Sequence, residues 1–443
     1  IILKNINHYI KNNLNKMFLA YRVLTTILYP FLFIFIYFRI IIKKDDPERF
    51  KEKILVSHFR VIDKEKSKLI WFHAASIGEF KSVIPIINQL NTKYKHLKFL
   101  ITTSSLSSGN LAEIELKKID NAEHRYFPFD VDFLIDNFIH SWKPDKIFLV
   151  DSEIWPNLIL KSKKYKIPIA LFNARLTSKS INKWMIFPRI TEKIFGIFNL
   201  FLCSNLETKK FLEELNLKNV YFKGNIKLYD PINEIEIENF NKNFLVKKRF
   251  WFAASTHKEE DLFCLKTHIK LKENFNDIIT IIAPRHVDRS NEIKSLSEKL
   301  GLAAQVLDEN QEILDNKEII IVNYFGALKT YFKFAKSVFI GKSMIPKLKN
   351  VGGQNPIEAA KLECKIYHGP YVYNFEDIYK ILESNNISKK IESFEELSKN
   401  LLIDLKNPQK KNNQNSNFIN DLGKKTLNDT MVLIDAFLND ENK

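Results

Sequence analysis

The chemistry in this chain is offered by one carboxylate at a strand-to-helix turn, further charges at strand ends, and a glycine-flanked helix start. Glu79 stands three positions after Ser76 in Trp71-Phe72-His73-Ala74-Ala75-Ser76-Ile77-Gly78-Glu79. A carboxylate at such a turn can take a proton from an incoming alcohol. It can equally close a helix cap with the Ser76 hydroxyl, with Gly78 beside it. Asp151 and Glu153 end the apolar run Lys146–Asp151, and Arg175 follows Ile167–Asn173. Open α/β sheets bind ligands beyond the carboxyl ends of their strands, so charges gathered on that edge predict a site.

In the second half, Arg285 and His286 follow the apolar run Ile278–Ala283. The run Gly352-Gly353-Gln354-Asn355-Pro356-Ile357-Glu358 places two glycines where backbone could approach a ligand. Asn355 fits an N-cap, Pro356 the first helical position and Glu358 the third. Free N–H groups and the helix dipole favour an anion there, phosphate being the usual occupant. The same run could be only a well-built helix start, with Glu358 as its capping partner. Gly341-Lys342-Ser343 is not a phosphate loop, because that motif needs glycine at 336, where this chain has Lys336.

These groups need scaffolds. Leu69–Ala75 predicts a buried strand that breaks at Ser76 into a helix near Gly78. Trp251-Phe252-Ala253-Ala254-Ser255-Thr256-His257 repeats that pattern. Two strand-turn-helix units, each opening its own half, predict an α/β chain of two facing Rossmann-like domains with a cleft between them. A length of 443 residues suits two such cores. Lys98–Thr103, Ser337–Ile340 and Val220–Lys227 add strands, and Ser104–Gly109 reads as a polar turn. Short β-rich runs spaced by helical lengths predict parallel sheets. The expected divisions are 1–45, 46–228, a linker at 229–245, 246–420, and a final helix at 421–443, amphipathic over Lys424–Leu438. Asn407–Asn420 reads as a flexible surface segment.

Hydrophobic residues at 45% and charged residues at 27% are ordinary globular values, so disorder is not the default for this chain. The formal net charge of +16 favours anionic partners, although most lysines serve as solvated surface. Cys203, Cys264 and Cys364 are too far apart in sequence for a zinc motif or disulfide framework, which fits a reducing compartment. Val23–Phe38 is uncharged between Arg22 and Arg39, and apolar residues resume to Ile42 before Lys43-Lys44. That is short of the ~20 residues a spanning helix needs unless the arginines snorkel. A membrane anchor, spanning or interfacial, is the expectation; a buried helix of the first domain is the alternative. Lys43 and Lys44 favour a cytoplasmic side for the domain C-terminal to them. Lys179–Ile197 interleaves Trp184, Met185, Phe187 and Phe195 with basic residues, as an acidic lipid surface or an ordinary packed helix would require.

Taken together, the motifs resemble the Kdo transferases, which add 3-deoxy-D-manno-octulosonic acid (Kdo) to a lipid A precursor. The runs that carry the resemblance are His73–Glu79, Ser152–Asn157, Asn173–Arg175, Gly224–Lys227, Ala254–His257, Ala283–His286, Gly352–Pro356 and Gly369–Phe375. They stand in the family's order from the anchor to about residue 378. The resemblance implies a glycosyltransferase B fold, a CMP-Kdo donor, a lipid IVA acceptor, no metal and no cofactor. It further implies attachment to anionic lipids of the inner membrane's cytoplasmic face, with no nucleic acid as partner. Glu79 is then the general base. Ser76, Gly78, Asp151, Glu153 and Arg175 shape the acceptor side. Lys227, Ser255, Thr256, Arg285, His286, Gly352, Gly353, Gln354, Asn355 and Glu358 line the donor side. Gln354 stands where many members have His, Asp151 where Glu is usual, and Asn323–Ala327 lacks the acids usual at both its ends. The rival readings are a related transferase using a uridine or guanosine sugar, and a membrane-tethered binder of acidic lipid without catalysis.

Overall fold

The computed structural model describes residues 2–59, 67–229, 237–407 and 414–440. The chain divides into two compact units, residues 1–230 with 423–443, and residues 231–422. The expected linker lies partly outside the described residues, at 230–236. Its later part is not a free tether: Lys242–Lys247 is a helix, and the Asn241 carboxamide bonds Ile313 N and Gln311 O, each at 2.9 Å.

The first unit is built on seven strands: β1 (Lys68–His73), β2 (Leu97–Thr103), β3 (Ala122–Tyr126), β4 (Lys146–Val150), β5 (Ile169–Ala174), β6 (Leu200–Cys203) and β7 (Val220–Phe222). All pair in parallel, in the order β3-β2-β1-β4-β5-β6-β7. Helices cover both faces, so β1 is apolar on both. Trp71 packs on Phe138 (ring centroids 4.9 Å) on one face, while Phe72 stacks on Phe148 (4.7 Å) on the other. The chain order reverses between β1 and β4, which is where such sheets take ligands.

Three expectations need correction here. Ser104–Gly109 is only briefly a turn, because Ser105 caps a helix over Leu106–Leu116 that already contains Gly109. Lys179–Ile197 is two short helices, Ser178–Trp184 and Pro188–Phe195, since Pro188 cannot donate into a continuous one. Met185, Ile186 and Phe187 between them are exposed. The final helix starts earlier than expected, at Gln414, and ends at Asn439. Residues 408–413 of the segment read as flexible lie outside the described residues. From Gly423 onward this helix belongs to the first unit, burying Leu427, Met431, Ile434 and Phe437 at helical spacing.

The N-terminal helix runs Ile2–Ile41. Its portion Lys16–Ile41 is, among the described residues, the one helix long and apolar enough to cross a membrane. The buried-helix alternative fails, since Leu24, Ile27, Phe31, Ile34 and Phe38 are all exposed. One side is tied down: Tyr21 Oη donates to Asp130 Oδ2 (3.0 Å), and Tyr29 Oη to Ile54 O (2.6 Å).

The second unit carries β8 (Arg249–Thr256), β9 (Ile278–Pro284), β10 (Ala304–Leu307), β11 (Ile319–Val322), β12 (Ser337–Ile340), β13 (Lys365–His368) and β14 (Ser388–Lys390). They form a parallel sheet in the order β10-β11-β9-β8-β12-β13-β14. Here the order reverses between β8 and β12.

Candidate active site

In the first unit the charges meet at the carboxyl ends of β1, β4 and β5. Ser76 is the N-cap of the helix Ile77–Lys93, as expected. Glu79 reaches back over it: its Oε2 accepts from Ala75 N (2.8 Å) and its Oε1 from the Ser76 hydroxyl (2.7 Å). Catalytic and capping readings of Glu79 are therefore not exclusive, because the cap fixes where the carboxylate stands.

Two further carboxylates face it. Asp151 adopts φ +61°, which turns the chain at the end of β4, and its Oδ2 accepts from Lys227 Nζ (2.8 Å). Glu153 Oε2 accepts from Trp155 Nε1 (2.8 Å) and lies 3.3 Å from Nε2 of the buried His73. The His73 Nδ1 is 3.0 Å from Thr102 Oγ1, and its ring stacks on Phe127 at 3.8 Å. Burial pushes the Glu153 carboxyl up, but the hydrogen bonds and charge of His73, with the Trp155 bond, outweigh it and leave it below its ordinary value. Glu79 goes the other way. Burial pushes its carboxyl up, and the charges of Glu153 and Asp151 add to that against the Ser76 and Ala75 bonds. Environments that drive neighbouring carboxyls apart mark acid–base roles. Arg175 donates its backbone N–H to Asp151 O (3.1 Å), which sets it on the same edge.

Lys227 was expected among the donor contacts. It lies in the first unit beside Asp151, because Gly224 turns the chain back after β7 and a short helical turn, Ile226–Leu228, comes next. His73, Thr102 and Trp155 were not singled out as site residues. A histidine ending an apolar strand was the available signal, but its partners lie far along the chain.

In the second unit the basic groups collect at the ends of β8, β9 and β12. Arg285 donates its backbone N–H to Thr256 O (2.9 Å) and its side chain is exposed. His286 is exposed too, with its ring 5.9 Å from that of His257. Burial pushes His257 down to about 4, helped by Lys342, His286, Arg285 and Arg289, so it is neutral at neutral pH. Ser255 sits at φ +57°. Thr256 is buried and its hydroxyl donates to Asp261 Oδ1 (2.8 Å), so it shapes the turn rather than offering that hydroxyl outward.

The glycine-flanked run is built differently from expectation. The helix is Ile357–Lys361, one residue later and only five long, with Pro356 at the N-cap position. Asn355 Oδ1 still accepts from Ile357 N (3.0 Å), as an Asx turn. Glu358 faces Lys329 at 3.4 Å, and Gln354 O accepts from Tyr379 Oη (3.1 Å). The glycines serve the protein's own backbone: a Cβ on Gly352 would stand 2.2 Å from Tyr371 O, and Gly353 N donates to Lys342 O (2.7 Å). Gly352→Ala should therefore destabilise by about 1–3 kcal/mol, seen as a lowered melting temperature. Gly78 is the contrast. A Cβ there meets nothing within 4 Å, so Gly78→Ala should hold or raise the melting temperature, by up to about 1 kcal/mol of helix propensity. The space at Gly78, beside Glu79, is open.

Two doubly wound units, carboxylates at the switch point of one and cations at that of the other, define a glycosyltransferase B architecture. A glycosyltransferase from Rickettsia africae shares the fold, with a TM-score of 0.54 at 15% identity, covering 84% of this chain and 97% of that one. The UDP-GlcNAc 2-epimerase of Neisseria meningitidis shares it as well, at a TM-score of 0.55 and 12% identity over 84% of this chain and 99% of its own. The family is narrower than the fold. Residues 48–229 match the model of the 3-deoxy-D-manno-octulosonic-acid transferases (kdotransferases). The 3-deoxy-D-manno-octulosonic acid transferase of Rickettsia bellii is 29% identical over 429 residues, spanning 95% of this chain and all of that protein. Along nearly its whole length the chain is thus similar to Kdo transferases, which are glycosyltransferases.

Proposed function

We propose that this protein transfers Kdo from CMP-Kdo to a sugar hydroxyl of a lipid A precursor, lipid IVA, with inversion. The observation that carries this reading is the Glu79 carboxyl, pushed up beside two carboxylates that are themselves satisfied by Lys227 and by His73 and Trp155. Glu79 takes the proton of the acceptor hydroxyl as the oxygen forms its bond to the anomeric carbon of Kdo. The bond from that carbon to the phosphate oxygen breaks, and cytidine monophosphate leaves with the electron pair. Its charge is met by Arg285 and His286 at the end of β9. Ser255 and the Gly352–Glu358 run border the donor, while Asp151, Glu153, Arg175 and the open face at Gly78 border the acceptor. Lys227 joins that side through its pair with Asp151.

The Lys16–Ile41 helix attaches the enzyme to the inner membrane at its cytoplasmic face, spanning it or lying in its interface. The exposed Met185-Ile186-Phe187 tip, flanked by Lys183 and Arg189, suits the same anionic surface.

A second reading keeps the fold and changes the donor, since a UDP-sugar enzyme is among the structural neighbours. A panel of CMP-Kdo, UDP-sugars and GDP-sugars, each offered with lipid IVA, separates the two. Release of cytidine monophosphate is expected. Release of a uridine or guanosine nucleotide instead would replace the proposed donor.

A further inference from the structure

Glu260 is 1% exposed, and its carboxylate is surrounded by backbone amides. Oε2 accepts from His257 N (2.9 Å) and Lys342 N (2.7 Å), and Oε1 from Ser343 N (2.8 Å) and Met344 N (2.9 Å). His257 lies just after β8 and Lys342–Met344 just after β12, the strands on either side of the point where this sheet reverses. One buried side chain thus ties together the two loops between which an open α/β sheet takes its ligand. An ionised carboxylate is costly to bury unless its lone pairs are met, and here four N–H donors meet them.

The tied loop carries Lys342 at φ +59°, a conformation that only glycine adopts without strain. Gly341 before it has no room for a side chain, since a Cβ would lie 2.6 Å from Ser255 O. Burial and the neighbouring Arg285 charge both push the Lys342 ammonium below its ordinary value. Among the described residues no carboxylate pairs with the side chain of either Lys342 or Arg285. Two cations held close without a counterion repel each other, and an anion between them would reverse that term.

We propose that Glu260 is a positioning residue of the donor site, fixing the 342–344 backbone so that Lys342 stands beside Arg285 to receive an anionic group of the donor. This rests on the donor reading above and adds to it a second cation and the side chain that places it. The acidic run Glu259-Glu260-Asp261 does not itself touch the ligand. Arg289, the other cation near His257, is already paired with Asp261 and is not part of the pair.

The test is calorimetric titration of the full chain with cytidine monophosphate and, separately, with inorganic phosphate. Glu260→Gln presents an NH2 group to two of the four amides. It should weaken nucleotide binding roughly 10- to 100-fold and raise the donor KM, with the acceptor KM unchanged. Amide exchange at 342–344 should quicken in that variant. Lys342→Gly separates charge from backbone, because glycine takes the positive φ freely. Its melting temperature should hold or rise while nucleotide and phosphate affinity fall roughly tenfold. Unchanged affinity in Lys342→Gly, or a Glu260→Gln variant that loses only melting temperature, overturns the proposal. If the wild type releases a nucleotide other than cytidine monophosphate, the donor reading fails. The same two variants titrated with that nucleotide then decide the role of Glu260 independently.

Discussion

Glu79→Gln should cut turnover by roughly 10²–10⁴-fold while leaving cytidine monophosphate binding intact. Glutamine is the informative replacement because it keeps the local structure. Its carbonyl can accept from Ala75 N–H, and its NH2 can donate to the Ser76 hydroxyl, so the cap survives. Alanine would remove both contacts along with the base, adding about 1 kcal/mol of lost capping to the kinetic effect. The pH profile supplies a second readout. Glu79 must be ionised to accept a proton, and its carboxyl sits above the ordinary carboxylate range, through burial first and then the charges of Glu153 and Asp151. Activity should therefore rise with pH through a limb displaced upward from that range. The stability sign is the reverse. A carboxyl raised in the folded state contributes stability that is present below its unfolded value and lost as pH rises through the folded one. Ionised Glu79 thus weighs against stability at neutral pH, and Glu79→Gln should melt there no lower than wild type. Full turnover in Glu79→Gln would remove it from the base role.

Arg285→Ala should weaken cytidine monophosphate roughly 10- to 100-fold, the loss of a charge-assisted contact to phosphate. The fold should not notice. The Arg285 side chain is exposed, and its structural bond, N–H to Thr256 O, belongs to the backbone. Stability should change by no more than about 0.5 kcal/mol. The donor KM should rise and the acceptor KM stay, and the effect should shrink as salt is raised. Titration showing unaltered nucleotide affinity would move the phosphate away from the end of β9.

The parts that sequence made legible are those whose cause is local. Trp71-Phe72-His73 and Trp251-Phe252-Ala253 are apolar on both faces, which only a doubly covered parallel strand requires, and each leads into a turn and a helix. Glu79 could be placed because Ser76 fixes the helix start three residues before it. What escaped was set by topology. His73 meets Glu153, and Glu260 meets Lys342–Met344, only because β1 neighbours β4 and β8 neighbours β12. In sequence, Lys258-Glu259-Glu260-Asp261 is an ordinary acidic helix start. Lys227 was assigned to the donor from its motif; that its ammonium also pairs with Asp151 follows from β7 closing the first sheet and could not be read from sequence. The Asn355 helix was displaced by one residue because an Asx turn satisfies the N–H that an N-cap would have taken. The last helix was expected, but its first turns from Gln414 were hidden by an Asn- and Lys-rich sequence, although Ile419 buries completely.

Mass analysis of the lipid formed from CMP-Kdo and lipid IVA, by wild type and by Glu79→Gln in parallel, tests the central claim most directly. The acceptor should gain the mass of Kdo with wild type, with cytidine monophosphate released alongside, and gain almost none with the variant. A lipid left unmodified by wild type, or modified equally by both proteins, would contradict Kdo transfer by this base.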